Sequence, residues 1–187
     1  LQLGLISDHG RLPDGVKTLS ESFAEAGFRT AAFSASPYVT EQFGFARGFE
    51  SFAEFYRDPL YVRQGRRASL ILERAGEWLA KQPPDQKLFA YLHLREPHQP
   101  YDPLFPWSAA FQPPANSSSA TGENSWILGI EDRRRLPTQE DIARIHAYYR
   151  GGLFFADSMV GLLLDELRRS GRLESTLLVV ISDHGEA

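Results

Sequence analysis

Residues 176–182 read TLLVVIS, an apolar and largely β-branched run with no turn-forming residue inside it. A strand that is apolar on both faces is typical of a parallel sheet covered by helices on both sides. Two further runs have strand length and composition, residues 30–34 (TAAFS) and residues 88–94 (LFAYLHL). The sequence therefore predicts three strands of one mostly parallel sheet.

Three amphipathic segments alternate with these strands. The first begins with a capping-box pattern at residues 18–21, has Leu19 and Phe23 on its apolar face, and ends at Gly27. The second is predicted at residues 64–81, and the third from Thr138 to Gly171. Helices that alternate with strands imply right-handed crossovers. The predicted fold class is α/β, a mostly parallel sheet sandwiched by helices.

The composition excludes several classes of protein and site. The 187 residues contain no cysteine, which excludes a disulfide framework and a thiolate metal site. The net charge is −4, and the densest basic run is the three arginines at 133–135, so the sequence predicts no nucleic-acid binding. No apolar run is long enough to cross a bilayer. The chain opens at Leu1 rather than Met, so we expect a preceding segment, and the composition does not fix the cellular location.

Asp183 and His184 form the strongest local pattern, because they follow the run at 176–182 directly. Ligands of open α/β sheets bind at the carboxyl ends of the strands. A carboxylate oxygen and a neutral imidazole nitrogen are common metal ligands, and Gly185 permits the turn that would bring both to one ion. The alternative is a polar turn in which His184 is only hydrogen-bonded.

His98 is the second candidate and lies between two prolines after the predicted strand at 88–94. An imidazole there would bind an anionic substrate oxygen or protonate a leaving oxygen. The alternative is a histidine in a surface loop. His93 lies inside the strand and is interpreted as a core residue.

Residues 7–10 repeat the letters SDHG found at residues 182–185. A four-ligand metal site built from both copies is one interpretation. The preceding residues form a poor strand, however, so we interpret Asp8 and His9 as non-ligands.

Together these segments resemble the sulfatase family of the alkaline-phosphatase superfamily. Residues 177–186 (LLVVISDHGE) resemble the family's strand that ends in a metal-binding Asp-His or Asp-Asn pair, and residues 149–167 resemble the helix before it. Residues 97–101 (PHQPY) resemble the segment whose His contacts the sulfate or phosphate group. Residues 18–33 and 44–52 resemble the helix-Gly-strand and the Gly-Phe-rich turn that follow the nucleophile.

The resemblance implies the roles of these residues. Residues 1–187 would be an internal fragment of the N-terminal catalytic domain, with a fold incomplete at both ends. Asp183 and His184 would be metal ligands, with Ca²⁺ the expected cation. His98 would be both catalytic and substrate-binding. The resemblance does not cover the Pro- and Ser-rich stretch at 99–137, which its composition predicts to be a long loop; from its position alone, we hypothesise that it forms one wall of the substrate pocket.

The departures from the family concern the nucleophile. The family's Cys/Ser-x-Pro-x-Arg motif, whose first residue becomes formylglycine, does not occur in the 187 residues. The paired N-terminal aspartates are also missing, and residues 33–36 (FSAS) replace the Lys-x-His element of arylsulfatases. We therefore expect formylglycine upstream of Leu1, and we expect the isolated chain to be inactive.

The resemblance predicts a sulfuric ester hydrolase that acts on a small-molecule or glycan sulfate ester. The Asp-His pair also occurs in related phosphoethanolamine and phosphoglycerol transferases. A phosphotransferase or phosphodiesterase that uses Mn²⁺ or Zn²⁺ is therefore the first alternative, and a non-catalytic pseudoenzyme domain is the second. Family analogy suggests an extracytoplasmic or secreted protein.

Overall fold

The computed structural model describes residues 10–59, 61, 67–111 and 118–185. The chain divides into two compact units, Leu1–Arg95 and Glu96–Ala187. The first contains helix α1 (Leu19–Glu25), strands β1 (Arg29–Ser34) and β2 (Ser51–Glu54), helix α2 (Arg67–Ala80) and strand β3 (Leu88–His93). The second contains helices α3 (Trp107–Ala110), α4 (Asn124–Glu131) and α5 (Gln139–Arg169) and a 3₁₀ helix (Leu173–Ser175).

Helix α1 has the predicted capping box at its start. The Thr18 hydroxyl accepts a hydrogen bond from the Glu21 backbone N–H (3.1 Å), and the Glu21 carboxylate accepts one from the Thr18 N–H (2.7 Å). The bond from the Thr18 N–H is the main cause of the lowered pKa of the Glu21 carboxyl. Gly27 follows the helix at φ +79°, in the left-handed region that favours glycine.

The three strands form one parallel sheet in the order β2-β1-β3. Strand β1 is central, and its last residue, Ser34, lies opposite Glu54 of β2 and His93 of β3. Strands β1 and β3 confirm the predictions at residues 30–34 and 88–94.

Helices cover both faces of this sheet. On one face, Phe33 of β1 packs in a core with Leu70 and Ile71 of α2, and both α2 side chains are almost fully buried. On the other face, Phe89 of β3 stacks on Phe23 of α1 with ring centroids 4.3 Å apart. Burial of such side chains contributes about 1.5–3 kcal/mol each. The α/β sandwich predicted from the sequence is therefore confirmed.

The structure differs from the predicted strands at two segments. Strand β2 was not predicted, because it overlaps residues 44–52, which were interpreted as a turn. Residues 176–182 were predicted to be a strand but form no ladder with any described residue, and their apolar side chains are exposed, from 47% at Leu178 to 88% at Leu177. A high β-propensity means that side chains fit a half-buried pleated surface, so the run forms a strand only where a partner edge lies beside it.

Helix α5 is the long helix predicted from Thr138. The Thr138 hydroxyl accepts a hydrogen bond from the Asp141 backbone N–H (3.1 Å), and the Asp141 carboxylate accepts one from the Thr138 N–H (3.0 Å). Gly171, at φ +71°, follows its C-cap as predicted.

The segment at 99–137 includes helices α3 and α4 and packs on α5 through α3. The Trp107 ring meets Phe155 edge-on at 4.9 Å, and its indole N–H donates to the Ser158 hydroxyl (2.9 Å). Gly151 permits a close approach here, because a Cβ at this position would lie 2.9 Å from the Pro103 side chain.

Among the described residues, no helix combines the length and the hydrophobicity that a membrane crossing requires.

Candidate functional site

Asp183 and His184 are adjacent and exposed, with 79% and 67% of their side-chain surfaces accessible. One oxygen of the Asp183 carboxylate accepts a hydrogen bond from the His184 backbone N–H (3.0 Å). The other oxygen, Oδ2, lies 3.8 Å from His184 Nε2. His184 Nδ1 lies 2.7 Å from the Gly185 carbonyl oxygen, to which it donates. The pair therefore presents one carboxylate oxygen and one imidazole nitrogen to the same region of solvent.

This geometry fits two ligands of one divalent cation. Because Nδ1–H donates to the Gly185 carbonyl, the neutral His184 ring keeps its lone pair on Nε2, and metal-binding histidines commonly make this type of second hydrogen bond. Donor atoms 3.8 Å apart can both contact a cation at the usual distances of about 2.0–2.5 Å. A six-coordinate cation needs further ligands. No group of three or more His, Cys, Asp or Glu side chains lies close enough together to hold a metal within the part of the chain that the structure describes.

His98 is exposed, and helix α5 supports the segment that carries it. Its Nδ1 lies 2.6 Å from the Gln99 carbonyl oxygen, so Nδ1–H donates there and Nε2 is left for a ligand, as an acceptor in the neutral ring and as a donor in the protonated ring. Pro97 packs against Gly152 of α5, where a Cβ would lie 3.5 Å from the proline side chain. The described residues do not unite His98, Asp183 and His184 in one cluster of metal ligands.

The other two histidine predictions have different outcomes. His93 lies in β3 as predicted and its Nδ1 lies 3.2 Å from the Tyr91 hydroxyl, but it is only half-buried and does not belong to the core. Asp8 and His9 lie outside the described residues.

A cavity of about 450 Å³ in the second unit was not predicted from the sequence. The cavity is lined by residues 101–103, Ser108 of α3, residues 118–122, and Arg144 and Tyr148 of helix α5. The spacing of Arg144 and Tyr148 places them on one helix face, which is a readable signal. Most of the other lining residues lie in irregular chain without periodicity, so sequence patterns gave no sign of the cavity. The hypothesis that residues 99–137 form one wall of the substrate pocket stays a prediction. Residues 101–103, 108 and 118–122 of this segment line the cavity described here.

Asp141 holds Ser118, one of the residues that line the cavity. It is only 6% exposed, and its carboxylate accepts hydrogen bonds from the Thr138 N–H and from the Ser118 hydroxyl (2.8 Å). These bonds, with the one from Thr138 the strongest, lower the pKa of the Asp141 carboxyl. Ser118 also accepts from the Ala120 N–H (3.2 Å), so the carboxylate fixes the chain where it enters the cavity wall.

The parallel sheet with helices on both faces defines an α/β protein, and a fold of this class does not by itself fix an activity. Comparison with known proteins is more specific, because the sequence profile of the family described as Sulfatase matches residues 2–187. The chain belongs to the Sulfatase family.

The chain is similar to an arylsulfatase from Klebsiella aerogenes, with 25% identity over 226 residues. The match covers 94% of this chain and 48% of the relative, so the chain spans about half the length of the curated relative it matches.

Two solved structures share the fold. The phosphonate monoester hydrolase of Agrobacterium radiobacter superposes with a TM-score of 0.65 at 14% identity, over 92% of this chain and 48% of the other. A structure of BT4656 in complex with its substrate D-glucosamine-2-N,6-O-disulfate gives a TM-score of 0.57 at 14% identity, over 91% of this chain and 50% of the other. At these identities the likeness shows the fold alone.

Proposed function

We propose that the full-length protein is a metal-dependent sulfatase that hydrolyses a sulfate ester. The observation that carries this proposal is the pair of donor atoms on Asp183 and His184, 3.8 Å apart, in a chain that belongs to the Sulfatase family. The similarity to an arylsulfatase supports a sulfate ester as the substrate.

Each candidate residue has a chemical role in this proposal. Asp183 and His184 hold a divalent cation, with Ca²⁺ as the proposed ion. The cation supplies positive charge that stabilises negative charge developing on the ester oxygens. In its protonated form, with Nδ1–H on the Gln99 carbonyl, His98 donates from Nε2–H a hydrogen bond to a sulfate oxygen or a proton to the leaving oxygen. The proposed nucleophile is a formylglycine upstream of Leu1.

The test is hydrolysis by the full-length protein of 4-nitrophenyl sulfate, compared with 4-nitrophenyl phosphate and a 4-nitrophenyl phosphonate monoester. We expect the sulfate to be the preferred substrate, a chelator to abolish turnover, and Ca²⁺ to restore it. Preference for a phosphorus ester, with restoration by Mn²⁺ or Zn²⁺, would replace the sulfatase with a phosphoryl-transfer enzyme. Absence of turnover on all three esters would favour a non-catalytic domain.

Variants then separate the roles of the residues. Asp183→Asn and His184→Ala should raise the Ca²⁺ concentration needed for half-maximal activity. His98→Ala should lower kcat about 10²- to 10⁴-fold while leaving that concentration unchanged. His146→Ala is the matched control, because His146 is an exposed histidine on α5 in the same unit. If neither Asp183→Asn nor His184→Ala changes the Ca²⁺ concentration needed for half-maximal activity, the two residues are not metal ligands.

A further inference from the structure

We propose that Gly151 and Gly152 of helix α5 are positioning residues for His98. Because neither has a side chain, residues 97–103, the segment that carries His98, can lie directly against the backbone of the helix. This proposal rests on the proposed function, since it concerns how the imidazole is placed for its reaction with the ester. The two glycines act only through the position of His98.

The local contact of the His98 side chain does not fix its place relative to the rest of the protein. Its Nδ1 lies 2.6 Å from the carbonyl oxygen of Gln99, the next residue in the chain. This bond directs the ring relative to its own segment, and the ring is exposed. The position of the imidazole therefore depends on what holds the segment.

Both ends of the segment lie against the glycine pair. A Cβ at Gly152 would lie 3.5 Å from the side chain of Pro97, the residue before His98. A Cβ at Gly151 would lie 2.9 Å from Cβ and Cγ of Pro103, and 3.3 Å from the Trp107 carbonyl oxygen. Both glycines are buried. A methyl group at position 151 therefore fits only if the Pro103 ring moves.

The segment is stiff enough to transmit such a movement to His98. Three of its seven residues are prolines, at positions 97, 100 and 103, and each proline fixes its own φ angle. The residue before a proline is restricted as well. Beyond Pro103, the Trp107 indole N–H donates to the Ser158 hydroxyl of α5 (2.9 Å) and holds the chain on the helix. A clash at Gly151 therefore displaces the stiff segment on the His98 side.

The size of the clash sets the size of the expected effect. Carbon atoms in contact are normally about 3.5–4.0 Å apart, so an alanine methyl at position 151 should push the Pro103 ring away by roughly 0.6 Å or more. A misplacement of about 1 Å can cost about 10²-fold in rate. Gly151→Ala should therefore lower kcat about 10- to 100-fold.

The first test measures kcat for 4-nitrophenyl sulfate with the full-length protein. Gly151→Ala and Gly152→Val should each lower kcat by that factor and leave the Ca²⁺ concentration for half-maximal activity unchanged. Gly152→Ala should lower kcat less than Gly152→Val, because its single methyl group meets Pro97 at an ordinary contact distance. The two positions keep the test decisive if one of the variants does not fold.

The matched control is Gly76→Ala. It adds the same methyl group inside helix α2, at a position where no described atom outside the helix backbone lies within 4 Å of the new Cβ. This variant should leave kcat unchanged. Full activity of both Gly151→Ala and Gly152→Val would overturn the proposal.

A double-mutant cycle shows whether Gly151 acts through His98. In a His98→Ala background, Gly151→Ala should lower kcat by a further factor of about 2 or less, because the group that it positions is gone. The same loss with and without the His98 imidazole would assign Gly151 to folding alone and would overturn the proposal.

An NMR measurement separates this proposal from the proposed function. In the full-length protein with isotope-labelled histidine, the ring signals that are missing from His98→Ala identify His98. Their chemical shifts should change in Gly151→Ala and Gly152→Val and stay the same in Gly76→Ala. Unchanged shifts in the first two variants would overturn the proposal even where the sulfate ester is hydrolysed. If the wild-type protein hydrolyses no sulfate ester, the proposed function fails, and the ring shifts still decide whether the glycine pair sets the position of His98.

Discussion

At the scale of single residues, Gly48 and Gly27 provide a controlled pair, because both have positive φ (+77° and +79°). A Cβ at Gly48 would overlap the Glu21 backbone nitrogen, whereas nothing lies within 4 Å of a Cβ at Gly27. Both alanine variants incur the left-handed cost of about 1–2 kcal/mol. Gly48→Ala should lower the free energy of unfolding by a further ~1–3 kcal/mol through overpacking. Urea denaturation measures the difference, and equal losses would contradict the close approach.

Asp141 gives a residue-scale prediction about pH. Its folded-state pKa is lowered by the bond from the Thr138 N–H and then by the Ser118 hydroxyl, relative to about 3.9 in an unfolded chain. A lowered pKa contributes stability that is present above about pH 4 and is lost as the pH falls through the folded value. Asp141→Asn should therefore be less stable than wild type at pH 7, and the gap should narrow at about pH 3. Urea midpoints at both pH values test this, with Glu140→Gln, an exposed neighbour, as the control. If the difference in urea midpoint between Asp141→Asn and wild type is the same at both pH values, the lost stability comes from packing alone.

The assignment of Asp183, His184 and His98 to the site stays a prediction from sequence. Asp183, His184 and His98 each follow a run of strand-like residues, and that position led to their selection. Their tautomers depend on neighbouring carbonyl groups, those of Gly185 and Gln99, which no pattern of residue types encodes. The cavity was missed for a related reason, because its lining residues Tyr101 and Gly122 are joined by a non-local backbone hydrogen bond that no local pattern predicts.

At the scale of elements, the buried stripe of α2 anchors the sheet. Ile71 is 0% exposed, so Ile71→Ala leaves a cavity in the core and should cost about 2–5 kcal/mol. Leu19 is the contrast, because the helical spacing assigned it to the apolar face of α1, yet it is 65% exposed. Leu19→Ala should change stability by less than ~0.5 kcal/mol. Thermal and urea denaturation compare the two, and a similar loss for both would contradict the assignment of the core.

The helices were predictable as elements because caps and periodicity are local. Thr18 and Thr138 each form a capping box with the residue three positions later, so both helix starts were found. Strands depend on partners that lie far away in the sequence. The four residues of β2 carry no alternating pattern, whereas the stronger apolar run at 176–182 pairs with no described residue.

At the scale of the whole molecule, the exposed run Leu177, Leu178, Val179, Val180 and Ile181 has a predictable consequence. Five consecutive apolar residues with high β-propensity and no charge are a template for intermolecular strand pairing. The isolated 187-residue chain should therefore self-associate as its concentration rises, and the double variant Val179→Lys/Ile181→Lys should remain monomeric, because charged strands resist pairing. Leu162→Lys is the control, since it adds a charge at an exposed leucine of α5 outside this run and should leave self-association unchanged. Light scattering after size-exclusion chromatography measures the outcome. A monodisperse wild-type monomer with a sharp, cooperative thermal transition would contradict the prediction that the exposed run at 177–181 causes self-association.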